Sequence, residues 1–107
     1  MAITNVAFVR AARGYEIELG DLLAELAAAS RVEPGCIGFA VHQSPDTPAL
    51  WFLYATWRSE EQLYAHVKSG HLARFAKASA PIIAGDLTLG LFTPVESVTA
   101  LKPALAA

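Results

Sequence analysis

Two histidines, His66 and His71, are the side chains in this sequence best suited to moving a proton. Histidine titrates near neutral pH, so it can both accept and release a proton under ordinary working conditions. The adjacent Trp57 could supply a flat apolar wall for a ligand beside them. The alternative is that His66 is a hydrogen-bonded histidine of the core, and the spacing alone leaves both interpretations open.

The residues before His66 predict how it is placed. Residues 50–57 are rich in aromatic and apolar side chains and predict a strand. Ser59 then predicts a helix N-cap, and Gln62 three residues later completes the pattern of a capping box. One face of this helix is expected to point toward the sheet, and it carries Leu63, His66 and Val67.

Other kinds of site find less support in the sequence. His66 and His71 lie about 140° apart around a continuous helix, and no cysteine or carboxylate completes a ligand set, so no metal site is predicted. Cys36 is the only cysteine, and it is expected to be a small buried residue rather than a nucleophile. Asn5 is an amide within a strand that either bonds a neighbouring loop or donates to a ligand in a cavity.

Composition excludes several classes of function. The chain of 107 residues has a formal charge of −2 and no cluster of Lys or Arg, which argues against a nucleic-acid partner. No apolar run approaches the length of about 18 residues that a membrane span needs, and we expect a cytoplasmic protein. Hydrophobic residues make up 54% and charged residues only 17%, so we expect a second subunit to cover part of the surface.

Hydrophobic periodicity predicts an α+β fold. The predicted elements are a strand over 3–11, a helix over 15–31, strands over 36–42 and 50–57, a helix over 60–69, a helix from His71 to Pro81, and a strand over 87–93. This order is typical of a ferredoxin-like sandwich, a four-stranded antiparallel sheet with helices on one face. Small and large residues alternate strictly over 36–42, which predicts a strand with two unlike faces. The strand over 50–57 is apolar on both faces, which favours a homodimer. We assign residues 1–98 to the domain and 99–107 to a C-terminal tail.

Three segments in this order resemble the antibiotic biosynthesis monooxygenase family, and its quinol-monooxygenase-like members in particular. The likeness spans about residues 3–93. It rests on Gly14 ahead of the first helix, on the run Glu33, Pro34, Gly35 and Cys36, and on Trp57, Arg58, Ser59, Ala65, His66, Ser69, Gly70 and His71. The resemblance implies a dimeric α+β barrel. It also implies a pocket between sheet and helices that needs no cofactor and binds a flat, electron-rich aromatic such as a quinol or an anthrone.

The chemistry of such a pocket assigns a role to each candidate residue. Dioxygen reacts poorly with closed-shell molecules, so without flavin or metal the substrate must be deprotonated to become the electron donor. His66 is the candidate base, and Asn5 or His71 could hydrogen-bond the developing oxyanion. Four further residues are predicted to contact the substrate, namely Trp57, Phe75, His42 and Tyr54.

Two departures from the family pattern narrow the function. Ala55 stands where many relatives carry an acidic residue, so any role of that carboxylate is missing. The haem-degrading relatives carry a tryptophan in place of His66 and a haem-ligating histidine in place of Ala76, which argues against haem breakdown.

Two alternatives share the fold. One is an isomerase of a small carbonyl or sugar-derived signal molecule, with Arg10, Arg58 and Arg74 as possible contacts for a phosphate. The other is a dimer that binds a small ligand without catalysis. Fold cannot separate them, because function resides in the pocket.

Overall fold

The structure is a computed structural model, and it describes residues 1–85 and 87–95. Its elements are β1 (Ile3–Arg10), α1 (Glu16–Arg31), β2 (Cys36–Gln43), β3 (Leu50–Trp57), α2 (Glu60–Val67), α3 (Gly70–Ser79), a 3-10 turn (Ala80–Ile82) and β4 (Thr88–Phe92). The predicted elements are confirmed with shifts of one or two residues at their ends. The predicted boundary at residue 98 and the tail over 99–107 lie outside the described residues.

The four strands form one antiparallel sheet in the order β2-β3-β1-β4. Because β1 pairs with both β3 and β4, the two halves of the chain meet at the centre of the sheet. The helices contact one face of this sheet, and α1 also packs against α3. The ferredoxin-like α+β fold expected from the order of elements is confirmed.

The core lies between the helices and the sheet. The helix α1 buries one stripe along its length, made of Leu19, Leu23, Leu26, Ala27 and Ser30. The side chain of Trp57, at the end of β3, is completely buried. Midway along α1, Gly20 lies against the indole of Trp51, where a Cβ would overlap the ring, so glycine lets the helix approach β3 closely.

Two local predictions were wrong in detail. Val67 was expected to face inward with His66, but 56% of its surface is exposed, because it lies in the last turn of α2 beyond the edge of the core. Strict alternation was expected along β2, but a register shift between Cys36 and Gly38 leaves Ile37 54% exposed. A β-bulge of this kind interrupts the alternation of faces in a strand.

The sheet face away from the helices is also apolar, as the composition of β3 predicts. Phe8 and Phe52 face each other across β1 and β3 with ring centroids 5.0 Å apart. His42 on β2 extends this row, 5.8 Å from the ring of Phe52. Phe8 remains 45% exposed in the single chain. Coverage of this face by a second subunit stays a prediction.

Candidate active site

A cavity of about 770 Å³ lies between the helices and the β1–β4 side of the sheet. Most of its wall is aliphatic or aromatic, contributed by residues such as Leu53, Leu63, Leu72 and Phe75. The polar side chains in the wall are Asn5, Tyr64, His66 and Ser79. At the mouth, Tyr64, Val67, Leu89 and Leu91 are each more than half exposed, so the cavity opens to solvent. A flat apolar molecule could enter this space without leaving buried charge unpaired.

His66 reaches the cavity from α2 and is held from several sides. Ser59 caps the helix as predicted, because its hydroxyl accepts the Gln62 N–H at 3.3 Å. The same hydroxyl donates to the Gln62 side-chain oxygen. In a capping box the Gln62 side chain would instead accept the Ser59 backbone N–H. The imidazole of His66 lies 4.5 Å from the indole of Trp57, with the two planes tilted by 32°. The edge of Phe39 approaches it at 5.8 Å. This packing leaves His66 4% exposed and fixes the orientation of its ring.

Glu33 is the polar partner of His66. The Oε2 atom of Glu33 lies 2.7 Å from His66 Nδ1. Glu33 follows α1 in the turn that leads into β2, and that turn is tied to the start of α2 because the Arg58 N–H donates to the Gly35 carbonyl at 2.9 Å. A Cβ at Gly35 would overlap the side chain of Gln62, so only glycine allows the turn to lie this close to α2.

The same carboxylate oxygen also bonds His71, with Nε2 at 2.9 Å from Oε2. The chain ends α2 at Val67 and starts α3 at Gly70, so the two histidines do not lie on one continuous helix. Ser69 stabilises the break, because its hydroxyl donates to the His66 carbonyl at 2.6 Å and accepts the Leu72 N–H at 3.3 Å. The premise of the metal argument, that the histidines diverge and lack a carboxylate, was therefore wrong.

The hydrogen bonds to Glu33 assign the tautomer of His66. An ionised carboxylate can only accept, so the neutral imidazole that bonds it through Nδ1 carries its proton there and keeps a lone pair on Nε2. Among residues 1–85 and 87–95, the hydrogen-bond partner of the His66 ring is Glu33, through Nδ1. Because His66 also lies in the cavity wall, Nε2 is the ring nitrogen left for a ligand there.

Asn5 has a defined orientation as well. The Trp57 indole N–H donates to Asn5 Oδ1 at 2.9 Å. Because an indole nitrogen can only donate, the Asn5 oxygen must face Trp57, which leaves the amide NH₂ available as a donor. Asn5 also lines the cavity. The bond goes to a strand tryptophan rather than to a neighbouring loop, and it leaves the second sequence-based possibility, donation into the cavity, open.

The structure brings together only part of the predicted site. His66, Asn5 and Phe75 line the cavity. Trp57 does not, because it is fully buried beneath His66, and it supports that ring and Asn5 instead of forming a wall.

Three other predicted residues also lie away from the cavity wall. His71 lies beside Glu33 and not in the wall, which argues against a direct bond to a substrate oxyanion. His42 and Tyr54 occupy alternate positions of paired strands, in register with Phe52 and Ala40, on the face opposite the helices. Neither contacts this cavity.

Glu33 was missed as a functional residue. The sequence signal was available, because Glu33 precedes the Pro34 and Gly35 turn in one of the segments that resemble the family. Its partnership with His66 spans 33 positions of the chain, and no local pattern reports such a contact.

Cys36 is a poor nucleophile in this setting. Burial raises the pKa of its thiol above the ordinary value, and the neighbouring Glu33 carboxylate raises it further. Less thiolate is therefore present near neutral pH than for a free cysteine.

The fold and the site define an α+β domain with an apolar cavity and a histidine–carboxylate pair at its wall. The family model described as antibiotic biosynthesis monooxygenase matches residues 2–78. The chain belongs to this family. No curated protein matches it significantly.

Solved structures share the fold along nearly the whole chain. A Pseudomonas aeruginosa protein, PA3566, is 25% identical, with 89% of this chain and 95% of that chain covered and a TM-score of 0.83. Rv0793 from Mycobacterium tuberculosis is 18% identical over 92% and 99% of the two chains, with a TM-score of 0.85. SnoaB from Streptomyces nogalater, described as a cofactor-independent oxygenase, is 18% identical over 91% and 96%, with a TM-score of 0.79.

None of the helices in residues 1–85 and 87–95 is both long enough and apolar enough to cross a membrane. The cytoplasmic location expected from the sequence stays a prediction.

Proposed function

We propose that the protein is a cofactor-independent monooxygenase that acts on a flat, electron-rich aromatic such as an anthrone or a quinol. The observation that carries the proposal is the position of His66 in the wall of a large apolar cavity, with Nδ1 bonded to Glu33 at 2.7 Å. Membership of the family and the likeness in fold to a cofactor-independent oxygenase support it.

His66 acts as the general base. For an anthrone, Nε2 removes a proton from the ring CH₂, and the electron pair of the broken C–H bond remains on the substrate as a delocalised anion. The Glu33 carboxylate stabilises the imidazolium that forms, because its charge-assisted hydrogen bond to Nδ1 strengthens when the ring is positive. The Asn5 amide, oriented by Trp57, donates a hydrogen bond to the oxyanion form of the substrate.

Oxygen chemistry then follows from the electron-rich anion. The anion transfers one electron to dioxygen, and the two radicals combine to a carbon-bound peroxide. Loss of the second ring hydrogen with cleavage of the O–O bond turns the CH₂ into a carbonyl and releases the other oxygen as water. In total, the substrate gives up two hydrogens and two electron pairs, and these reduce one molecule of dioxygen to the carbonyl oxygen and water. The proton held by His66 ends in that water.

The form of the cavity favours this function over the alternatives. An open apolar slot suits a flat aromatic, because contact with the apolar wall removes the rings of the substrate from water. The cavity wall, as far as residues 1–85 and 87–95 define it, contains no Lys or Arg to bind a phosphate. Arg10, Arg58 and Arg74 are exposed and lie outside the wall. The isomerase of a phosphorylated molecule is thus less well supported.

The proposal includes a homodimer. Phe8, Phe52 and Phe92 occupy the sheet face away from the helices, and Phe8 and Phe92 are 45% and 58% exposed in the single chain. A second copy placed on this face would remove that apolar surface from water.

Oxygen consumption tests the function. Chelator-treated protein is given a panel of anthrones and quinols, and uptake of dioxygen is followed together with product mass. We expect turnover without added metal or flavin and incorporation of one oxygen atom from ¹⁸O₂. Activity that appears only after adding one metal or flavin would refute the proposal.

A further inference from the structure

Two imidazole nitrogens and a carboxylate oxygen converge where the turn before β2 meets the break between α2 and α3. The candidate ligand atoms of Glu33, His66 and His71 all lie within 4.8 Å of one another. This donor set of two nitrogens and one oxygen is the kind that Zn²⁺ and neighbouring transition-metal ions prefer. Each ligand comes from a different element, so the fold and not a local sequence motif creates the cluster.

The charge of the cluster favours a cation. Within residues 1–85 and 87–95, the ion-pair partners of Glu33 are the two histidines, and no Lys or Arg is among them. With both imidazoles neutral, the cluster carries the full negative charge of one carboxylate. The Glu33 side chain is only 16% exposed, and a mostly buried charge without a permanent counter-ion is unfavourable. A divalent ion would compensate it.

The cluster is also open to entry. The side chain of His71 is 19% exposed and lies outside the cavity wall, so the cluster borders the protein surface on the side of His71. The present separations of 2.7 Å and 2.9 Å from Glu33 Oε2 are hydrogen bonds. A tetrahedral ion at about 2.0–2.1 Å from each ligand sets the ligand atoms about 3.3 Å apart. Small side-chain rotations would provide that spacing.

We propose that Glu33, His66 and His71 bind one divalent transition-metal ion of the Zn²⁺ type, with water in the remaining position, and that this ion switches the active site off. The ion occupies Nδ1 of His66, so the proton of the neutral ring moves to Nε2, the ring nitrogen left for a ligand in the cavity. Nε2 then donates instead of accepting. This second consequence rests on the proposed function, whereas the binding site does not.

Binding is tested without any substrate. Chelator-stripped protein is titrated with Zn²⁺ against a competing colorimetric chelator, in the unchanged chain and in Glu33→Gln, His71→Ala and His42→Ala. His42 is the matched control, because it is a histidine on the opposite face of the sheet. We expect one ion per chain in the unchanged protein and in His42→Ala. Replacing a residue that only hydrogen-bonds a metal ligand weakens metal binding by up to about 100-fold. Removing a ligand itself should weaken binding by at least that factor.

A second measurement needs no variant. Co²⁺ in place of Zn²⁺ should give the intense visible absorption of a four- or five-coordinate ion, and Zn²⁺ should shift the ring signals of His66 and His71 in ¹⁵N NMR spectra. These readings decide the question even if a variant fails to fold.

Three results would overturn the site. They are the absence of one-to-one binding, equal affinity in Glu33→Gln, His71→Ala and the unchanged chain, or loss of binding only in His42→Ala. Where the site is confirmed, Zn²⁺ at saturation should inhibit oxygen consumption. Saturation without inhibition would leave the metal site standing, overturn the switch, and refute the role of His66 Nε2 as the base.

Discussion

Replacement of Glu33 by glutamine removes the negative charge of the carboxylate while keeping the shape of the side chain. The carboxylate accepts a hydrogen bond from each of two histidines. Both bonds end on the same atom, Oε2, so the amide oxygen of glutamine can take its place and still accept from both rings in their present tautomers. The substitution therefore removes the negative charge beside His66 without changing which ring nitrogen carries the proton.

The structure sets the size of both effects. A hydrogen bond to a charged group contributes about 1.5–3 kcal/mol and a neutral one about 0.5–1.5 kcal/mol. Because both bonds to Glu33 lose their charge, the free energy of unfolding should fall by roughly 1–2 kcal/mol after relaxation. For a domain of this size that lowers the melting temperature by roughly 4–16 °C. Turnover should fall by about tenfold, because the imidazolium that forms on His66 keeps a neutral partner in place of a charged one.

Two assays separate these effects. Long-range ¹H–¹⁵N NMR spectra report which ring nitrogen of His66 carries the proton, and we expect Nδ1 both in the unchanged chain and in Glu33→Gln. Thermal melts give the change in stability, and oxygen consumption per folded molecule gives the turnover. A variant that melts earlier but turns over substrate within about twofold of the unchanged chain would show that Glu33 is structural only and would contradict its role beside the base.

Three further outcomes are expected. Gly35→Ala should lower stability by about 1–3 kcal/mol by overlapping the first turn of α2, whereas Gly38→Ala, which has open space around it, should change stability much less in thermal melts. Phe52→Asp should dissociate the proposed homodimer in sedimentation, and the control Ile17→Asp, on an exposed helix position, should not. Burial raises the pKa of Cys36, so its alkylation by iodoacetamide should rise with pH at a higher pH than that of free cysteine; an unshifted profile would contradict this.

Sequence reasoning located the elements because local patterns encode them. The period of α1, the β-forming residues of β1 and the cap at Ser59 depend on neighbours within about four residues. The apolar character of both faces of β3 predicted cover on both sides of the sheet, and the helices provide it on one side. The bulge near Ile37 escaped prediction because it depends on how β2 pairs with β3.

The site was only partly predictable for the same reason. The inward direction of His66 follows from helical periodicity, but its bond to Glu33 depends on the meeting of two turns that are distant in the chain. His66 and His71 were predicted to diverge on one continuous helix. The break at Ser69 instead places them on two helices, which bring both side chains to Glu33. Trp57 was placed in the correct region but given the wrong role, because periodicity does not show which of two inward residues lies deeper.

Oxygen consumption by His66→Ala beside His71→Ala, on a substrate verified with the unchanged chain, tests whether His66 is the base. We expect His66→Ala to lose about 10²–10⁴ in turnover while remaining folded. His71 bonds Glu33 and lies outside the cavity wall, so its removal should cost less than the loss of the base itself. Near-normal turnover in His66→Ala, or a larger loss in His71→Ala, would contradict the assignment of His66 as the base.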